Sequence, residues 1–480
     1  MPVFRCVKCG RSSGTEDLDP SCGKCGSPVV LAPPEGVSVT RAELDDLPPG
    51  VWRYKAFLPG ILNQDIVTLG EGATPLLRAE RLGEEVGLAH LLLKDESRNP
   101  TGSFLDRGST VLVSLASRAG VRECACVTTG NLGASLSAYC AKADIRARVR
   151  VDPDTDQGKL FQMLAYGAQI EASADVSLAR STDPRFLAVT AANPYLLEGE
   201  STTGFEMVQE LGWKAPDAVV VPVGTGGHLT MIWQSIKEMR ETGLLDRSEC
   251  RLLGVGLKGA SSSTDAAGRA GQARGSPLVE LEEKERFFRP EAERAMGESR
   301  GAEMLTTANA TLAATSLLAR TEGIFAEPSA ASVVACLAEA VQRGQIGRGE
   351  TVVCVITGSG LKDTRAVSRL ARQTRRVALR EDIAMRSPTI GETKLAVLRL
   401  LQRRPAYGYE LWALLSTKRR ISTASIYQHL SELETMLLVR RRGAVLAQGR
   451  ERVIYEPTRK GLDLLRMMDR LGRPRRKQLQ

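Results

Sequence analysis

The sequence predicts an α/β fold with open, mostly parallel sheets, preceded by a small cysteine ribbon and followed by a winged helix-turn-helix. Between about residues 69 and 370, apolar β-rich runs alternate with helical patterns, and the runs end in glycine-rich turns. Two Cys-x-x-Cys pairs fall within the first 25 residues. After residue 390, apolar residues first recur at helical spacing, and two β-like runs joined by a basic loop then follow. With 480 residues, the chain is long enough for about three domains.

The composition excludes some classes of protein. Hydrophobic residues make up 42% of the chain and charged residues 25%, which is typical of globular proteins. There is no run of 18 apolar residues and no signal-peptide pattern, so we expect a cytoplasmic protein that does not span a membrane. The net charge is +9, and residues 381–480 alone carry +11, so the remainder is slightly acidic. This distribution predicts a nucleic-acid contact at the C-terminal end.

The first domain, residues 1–30, is defined by four cysteines. Cys6 and Cys9 are separated by two residues, as are Cys22 and Cys25, and twelve residues lie between the pairs. Two such turns supply the four thiolates of a tetrahedral zinc site, and so short a segment has too little apolar material to fold without a metal. A site closed by four sulfurs has no open position, so we expect structural Zn²⁺. Unliganded or redox-active thiols are the alternative.

Residues 31–68 form a connecting segment, and residues 69–370 form the central domain. Apolar runs such as Val219–Val221 and Val352–Ile356 predict buried parallel strands, which place ligands at their carboxyl ends. Gly224-Thr225-Gly226-Gly227 follows one strand and can point backbone N–H groups at a phosphate. A tight strand-to-helix turn is the alternative. Thr357 follows the last strand, where its hydroxyl can face a ring nitrogen or cap a helix.

Several short motifs follow one another along this region. They are Gly70–Leu76, Leu93–Glu96, Asn99–Gly108, Thr129–Ser135, Gly158–Leu160, Tyr166–Ala168, Asn193–Pro194, Glu198–Gly199, Gly224–Gly227, Glu327–Ala331 and Thr357–Asp363. In this order they resemble the threonine synthases, enzymes that use pyridoxal phosphate (PLP). The resemblance implies a two-lobed PLP-dependent lyase-type fold. Small ribbons similar to residues 1–30 precede the catalytic domain in many microbial threonine synthases.

The resemblance also implies roles for single residues. Asn131 matches an asparagine that contacts the cofactor's ring hydroxyl; the alternative is a left-handed turn conformation beside Gly130. Thr357 would face the pyridine nitrogen of the cofactor. The cofactor's phosphate would lie on the loop formed by Gly224, Thr225, Gly226 and Gly227. The ligand pocket would be lined by Thr101, Ser103, Phe104 and Thr129.

Leu105 is the main departure from the family. The family's segment reads NPTGSFKDRG, and its lysine holds PLP as a Schiff base and shuttles protons, whereas a leucine has no amine. Ser201 stands where the family's EG-x-K-T stretch has a second lysine. Lys94 and Lys159 match lysines that have other roles in the family. We therefore expect no catalytic residue, and a pocket that holds PLP, an amino acid or their adduct without a covalent bond.

The last part of the chain divides into a linker over residues 371–390, a winged helix over residues 391–472 and a basic tail over residues 473–480. Periodicity predicts helices over Thr393–Arg403 and Gly408–Leu415, and a third from Thr423 with Ser422 as its N-cap. Two β-like runs follow, Leu438–Arg441 and Arg452–Tyr455, and a last helix starts at Thr458.

Three landmarks of this region, Pro405–Leu411, Ser425–Leu430 and Tyr455–Gly461, resemble the PadR family of regulators. The resemblance implies that the third helix lies in the major groove of DNA. The residues predicted to approach bases are Thr423, Ser425 and Gln428. Those predicted to contact phosphates are Arg440, Arg441, Arg442, Arg450 and Arg452. A winged helix that binds protein, with its arginines merely solvated, is the alternative.

These features lead to one main hypothesis and two alternatives. The main hypothesis is a transcription regulator in which a small amino-acid-type ligand binds the central domain and the winged helix of a homodimer binds operator DNA. The first alternative is an active PLP-dependent threonine synthase, or a related lyase, that uses a different lysine. The second is a catalytically silent partner of an active paralogue.

Overall fold

The computed structural model describes residues 3–14, 16–33, 36–153, 155–173, 181–246, 249–258, 287–366, 392–417, 421–447 and 450–471. The chain divides into two compact units, Met1–Thr374 and Arg375–Gln480. The predicted linker at 371–390 and the basic tail at 473–480 lie outside the described residues. No helix in the described ranges is long and apolar enough to cross a membrane.

The N-terminal ribbon is a three-stranded antiparallel sheet. Its strands are β1 (Val3–Cys6), β2 (Ser12–Gly14) and β3 (Val29–Leu31), in the order β2-β1-β3. Phe4 of β1 is fully buried and meets the ring of Tyr195 edge-on, with 5.7 Å between the ring centroids. The ribbon is therefore packed onto the body of the first unit by its own small apolar face.

The connecting segment contains one short helix, α1 (Arg41–Asp46), and two 3₁₀ turns, Val51–Phe57 and Asn63–Asp65. Thr40 caps α1 in a capping box with Glu43. The first 3₁₀ turn buries the rings of Tyr54 and Phe57 against Phe205, at centroid distances of 5.4 and 4.5 Å. The segment is thus a packed part of the first unit.

Besides the ribbon sheet, the described part of the first unit contains two further sheets, as the prediction of an open, mostly parallel α/β fold requires. The larger has six strands in the order β12-β11-β10-β13-β5-β4, in which only β4 is antiparallel to its neighbour. The smaller has four parallel strands in the order β8-β7-β6-β9. The strands are β4 (Leu76–Arg78), β5 (His90–Asp95), β6 (Glu123–Thr128), β7 (Arg146–Val151), β8 (Gln169–Ala172), β9 (Phe186–Val189), β10 (Ala218–Pro222), β11 (Arg251–Leu257), β12 (Ala302–Thr306) and β13 (Thr351–Ile356).

Helices pack around these sheets, and several begin at caps that the sequence encodes. Asn193 accepts a hydrogen bond from the N–H of Tyr195 and is followed by Pro194, so a helix starts there. The helices are α2 (Glu80–Val86), α3 (Leu105–Arg118), α4 (Asn131–Lys142), α5 (Gln157–Ala165), α6 (Pro194–Glu210), α7 (Gly227–Glu241), α8 (Arg289–Glu298), α9 (Ala308–Glu322), α10 (Pro328–Ala335) and α11 (Leu337–Gln342).

Helices α3 and α6 approach each other closely through glycines. A Cβ built on Gly199 of α6 would lie 1.9 Å from the carbonyl oxygen of Arg107, and one built on Gly108 of α3 would lie 2.6 Å from the carbonyl oxygen of Leu196. Backbone therefore lies against backbone at this crossing, and only glycine leaves the necessary space. The contact fixes the first turn of α3, which begins at Leu105.

The second unit has the predicted winged helix-turn-helix order. Its elements are α12 (Glu392–Arg403), β14 (Ala406–Tyr407), α13 (Gly408–Ser416), α14 (Thr423–Thr435), β15 (Val439–Ala447), β16 (Arg450–Pro457) and α15 (Arg459–Leu471). The sheet order is β14-β16-β15. The predicted cap is confirmed, because the Ser422 hydroxyl accepts from the N–H of Ser425 at 3.2 Å. The two wing strands extend further than predicted, and the two-residue strand β14 was missed because it is too short to show a period.

The glycine crossing generates a stability prediction. Gly199→Ala is expected to lower the free energy of unfolding by about 2 kcal/mol or more, because the added methyl group overlaps the Arg107 carbonyl. Gly297→Ala is the matched control: Gly297 also lies in a helix, and its Cβ would meet nothing within 4 Å, so a gain of about 0.5–1 kcal/mol is expected. Urea unfolding of the full chain measures both. Equal shifts in the two variants would contradict the close packing.

Candidate functional site

The segment from Thr101 to Leu105 is held on both sides by hydrogen bonds. The N–H and hydroxyl of Thr101 each donate to the Asp106 carboxylate at 2.7 Å. The N–H of Phe104 donates to the Thr357 carbonyl at 3.1 Å, so the segment runs alongside the end of β13. Burial raises the pKa of Asp106, against the effect of its bonds from Ser135 and Thr101. Two of the predicted pocket residues, Thr101 and Ser103, are thus buried, and their hydroxyl groups take part in hydrogen bonds within this segment.

Arg107, two residues after Leu105, is the centre of a buried ion-pair network. Its guanidinium is 0% exposed and donates to both oxygens of Glu96, at 2.7 and 2.8 Å, and to Glu206. Burial opposes the ionisation of Glu96, but the Arg107 charge dominates and lowers the pKa of Glu96 to about 2. Both partners therefore stay charged near neutral pH.

Lys94 belongs to the same network, and its amine is engaged there in ion pairs. Its Nζ donates to the Thr74 carbonyl and to Glu210, each at 2.6 Å, and lies 3.3 Å from Glu206. The side chain is completely buried. The expectation that Lys94 has a role other than holding a cofactor agrees with this position.

Asn131 is the first residue of α4 and forms a cluster with Glu327 and Lys159. Its Nδ2 lies 3.0 and 3.1 Å from the two carboxylate oxygens of Glu327, and Lys159 Nζ lies 3.8 Å from one of them. The Asn131 Oδ1 is buried with no hydrogen-bond partner among the described residues. The left-handed turn is at Gly130, with φ of 137°, so the alternative interpretation of Asn131 as a turn residue is wrong. Thr129, half-buried, precedes this turn.

The glycine loop connects β10 to α7. Gly224 and Thr225 are half-buried, whereas Gly226 and Gly227 are buried. Gly226 has φ of 94°, and a Cβ there would lie 2.5 Å from the carbonyl oxygen of Phe288, so this position requires glycine. The loop is therefore a tight strand-to-helix turn, and it also forms the start of a helix, where the first N–H groups have no partner within the helix. Thr357 is buried after β13, and the adjacent cap is formed by Ser359, which accepts from the N–H of Leu361.

His228, the second residue of α7, was not identified from the sequence. Its ring stacks on that of Phe104, with 4.2 Å between centroids and 12° between planes, and its Nε2 lies 3.0 Å from the Thr203 hydroxyl. Burial lowers the pKa of His228 to about 3, although the nearby Glu96 charge opposes this. The ring is therefore neutral at physiological pH. The feature of the sequence that could have identified His228 is its position directly after the glycine loop.

The four predicted cysteine ligands come together in the ribbon. Cys6 Sγ lies 3.5 Å from Cys25 Sγ, Cys9 Sγ lies 3.6 Å from Cys22 Sγ, and all four sulfurs lie within 4.8 Å of one another. Zinc–sulfur bonds of about 2.3 Å in a tetrahedron require sulfurs about 3.8 Å apart. The donor set and its spacing fit Zn²⁺, and the cluster could bind it.

In the winged helix, one face of α14 is exposed. It consists of Ala424, Tyr427, Gln428, Ser431 and Thr435. Gln428 is therefore on the outer face as predicted, whereas Thr423 and Ser425 are half-buried at the helix start. Tyr427 on this face is 42% exposed, whereas the preceding Ile426 is buried.

The wing arginines are exposed and pair with carboxylates. Arg440 lies 2.9 Å from Glu456 through its Nε, and Arg441 lies 3.0 Å from Glu434. Arg442 lies 3.5 Å from Glu456. Exposed pairs of this kind are weak, so the guanidinium groups remain available to other anions.

Arg452 has a different environment from the other wing arginines. Its guanidinium lies over the rings of Tyr407 and Tyr409, 5.5 and 5.1 Å from their centroids. The side chain of Arg450 lies outside the described residues.

The cysteine cluster generates a metal-binding prediction. The full chain is expected to contain about one zinc per molecule, and Cys22→Ser is expected to lose it, because a site with one thiolate missing is no longer closed. Cys250→Ser, at a buried cysteine outside the cluster, is the matched control and should keep the metal. Elemental analysis of purified protein measures the ratio. Wild-type protein free of zinc, or metal retained by Cys22→Ser, would contradict the assignment.

Comparison with known families divides the chain in the same way as the structure. Residues 67–358 match the family described as pyridoxal-phosphate dependent enzyme, and residues 397–467 match the transcriptional regulator PadR-like family. The chain is similar to the threonine synthase of Methanocaldococcus jannaschii, with 34% identity over 389 residues, 77% of this chain and 95% of the relative. It is also similar to the threonine synthase of Methanosarcina acetivorans, with 35% identity over 415 residues, 82% of this chain and all of the relative.

Solved structures confirm the fold. The processed form of threonine deaminase isoform 2 from Solanum lycopersicum is similar with a TM-score of 0.52 and 18% identity, covering 74% of this chain and 99% of that one. The two larger sheets and the glycine loop lie largely within residues 67–358, which the family model matches. The chain belongs to the pyridoxal-phosphate dependent enzyme family, has threonine synthases as relatives and carries a PadR-like domain after the family's fold.

Proposed function

We propose that this protein is a ligand-sensing, DNA-binding transcription regulator built on a threonine synthase-like domain that has lost its catalytic lysine. The single observation that carries the proposal is Leu105 at the start of α3, in a chain that ends in a PadR-like winged helix. A leucine can neither form a covalent bond with an aldehyde nor move a proton. The remaining threonine synthase-like domain can still bind a ligand. The added winged helix can convert ligand binding into a change in DNA binding.

The residues present fit non-covalent PLP binding but not its covalent attachment. The Oδ1 of Asn131 is a buried acceptor without a partner among the described residues, and a ring hydroxyl is a suitable donor for it. The Gly224–Gly227 loop presents the start of a helix, which suits a phosphate. PLP, when bound, would supply an electron-withdrawing ring and an aldehyde. Leu105 is half-buried and packs against the apolar core of the first unit.

The ligand class that follows is PLP, an amino acid or their non-covalently held adduct. Such a ligand changes DNA binding only if its affinity differs between two arrangements of the protein. Winged helices that read symmetric operators usually act in pairs, so we propose a homodimer. A role on DNA is consistent with a cytoplasmic location.

The second candidate is an active lyase that uses a different lysine, and the position of Lys159 favours it. A Cβ built on Gly130 would lie 2.4 Å from Lys159 Cδ, so this lysine is packed beside Asn131, at the proposed ring site. Its Nζ lies 3.8 Å from the Glu327 carboxylate, which favours the charged ammonium over a nucleophilic amine. The regulator is therefore the preferred proposal. Phosphate release from phosphohomoserine by the wild-type protein would favour the lyase instead.

The proposed DNA contact predicts a specific salt dependence. Arg440→Gln is expected to weaken binding to a promoter fragment and to reduce the slope of log K against log salt by about 0.9, because one phosphate contact is lost. Arg343→Gln is the matched control, since Arg343 is 66% exposed and paired with Glu339, as Arg440 is 69% exposed and paired with Glu456. Fluorescence anisotropy measures both. The proposal would be contradicted if the wild-type protein shows no salt-sensitive DNA binding in either the presence or the absence of PLP.

The absent amine predicts a gain of function. Leu105→Lys is expected to yield a PLP-labelled lysine at position 105 after borohydride reduction, because the substitution restores an amine at the start of α3. Leu105→Met, similar in volume but without an amine, should remain unlabelled, as should the wild type. Peptide mass spectrometry identifies the labelled residue. Label on Lys159 in the wild-type protein would support the lyase candidate.

A further inference from the structure

The cysteine cluster of the ribbon lies directly against the core of the first unit. Two of its four cysteines, Cys6 and Cys22, are only 2% and 4% exposed and belong to the same hydrophobic cluster as Tyr195, in the first turn of α6. The other two, Cys9 and Cys25, are exposed. One side of the metal site is therefore part of the core, while the other side can be reached from solvent.

Asn193 joins the ribbon to α6 through both ends of its side-chain amide. Its Nδ2 donates to the carbonyl of Leu18 at 2.7 Å, and Leu18 lies in the loop between the two cysteine pairs. Its Oδ1 accepts from the N–H of Tyr195 at 3.0 Å and so caps α6. The side chain is 1% exposed. A single buried amide thus connects the ribbon loop to the first turn of the helix.

A second contact extends from the ribbon to α7. Val7, inside the Cys6–Cys9 turn, packs against a buried cluster that contains Leu197 of α6 and Met231 of α7. A Cβ built on Gly227 would lie 2.6 Å from Leu197 Cδ2, so the Leu197 side chain covers the first residue of α7. The ribbon and the first turns of α6 and α7 are therefore in continuous contact.

These contacts exist only while the ribbon is folded. A segment shorter than about 40 residues rarely folds without a metal or a disulfide, and its metal-binding energy is then its folding energy. When the metal leaves, the hydrogen bond to Asn193 and the packing of Val7 are lost together. The first turns of α6 and α7 then open locally at a lower free-energy cost.

We propose that the ribbon is a regulatory metal site: loading with Zn²⁺ keeps the first turns of α6 and α7 closed, and loss of the metal loosens both while the remainder of the first unit stays folded. Asn193 is the positioning residue of this coupling. The inference goes beyond the proposed function, because it adds a second input, the availability of Zn²⁺, that requires neither a ligand in the central domain nor DNA.

Hydrogen exchange followed by peptide mass spectrometry tests the coupling directly. The full chain is compared when loaded with zinc and after removal of zinc by a chelator. Peptides from the first two turns of α6 and α7 are expected to exchange at least about fivefold faster without zinc, as for a typical coupling between two sites. Peptides from α9 are the control and should not change, because Leu318 of α9 belongs to a separate hydrophobic cluster.

A substitution at Asn193 tests the reverse direction, because coupling between two sites is reciprocal. Asn193→Asp keeps the acceptor that caps α6 and removes the donor to Leu18, while all four thiols remain. Its zinc affinity, measured by competition with a chromophoric chelator, is expected to fall at least about threefold, as for the loss of one buried hydrogen bond. Asn309→Asp is the matched control: Asn309 is exposed in the first turn of α9, so zinc affinity should be unchanged.

Three results would overturn this inference. The first is equal exchange of the α6 and α7 peptides with and without zinc, which would mean that the ribbon folds and unfolds on its own. The second is an equal acceleration in α9, which would mean that the whole unit depends on the metal. The third is an unchanged zinc affinity in Asn193→Asp. None of these measurements involves PLP or DNA, so their outcome is independent of the proposed function.

Discussion

The buried guanidinium of Arg107 is the interaction on which the rest of the first unit depends. It joins the end of β5, through Glu96, to α6, through Glu206, while its own backbone lies against Gly199. A charge in this position is tolerated only because it is fully paired, and removal of one partner from a buried pair typically costs about 3–5 kcal/mol. The network therefore holds the start of α3, and with it position 105, in one place.

The support around position 105 does not depend on which side chain stands there. The segment before α3 is held by Asp106, which binds Thr101, and by the Phe104 N–H, which binds the Thr357 carbonyl. None of these bonds involves the side chain of residue 105. The residue type at position 105 can therefore vary without loss of these hydrogen bonds, because its neighbours supply them. The proposed function requires ligand binding beside this segment and no proton transfer by residue 105.

Local patterns predicted much of the architecture. The parallel strands, the cysteine spacing and the Ser422 cap depend on residues close in sequence, and the structure has each of them. The pattern failed where a strand of two residues was added to the wing sheet. The placement of Arg452 over two tyrosines was also missed, because these rings come from a different part of the winged helix.

The sequence by itself determined which chemical groups exist: position 105 has no amine, four thiols are spaced for zinc, and a basic winged helix follows the enzyme-like domain. The covalent structure determines these groups, so they can be identified without knowledge of the fold. Only the tertiary structure decided which groups meet. Asn131 and Glu327 are 196 residues apart, and His228 is brought to Phe104 and Thr203 by the packing of three helices. Burial then sets the charge of each group, because desolvation depends on the surrounding fold and not on the residue type.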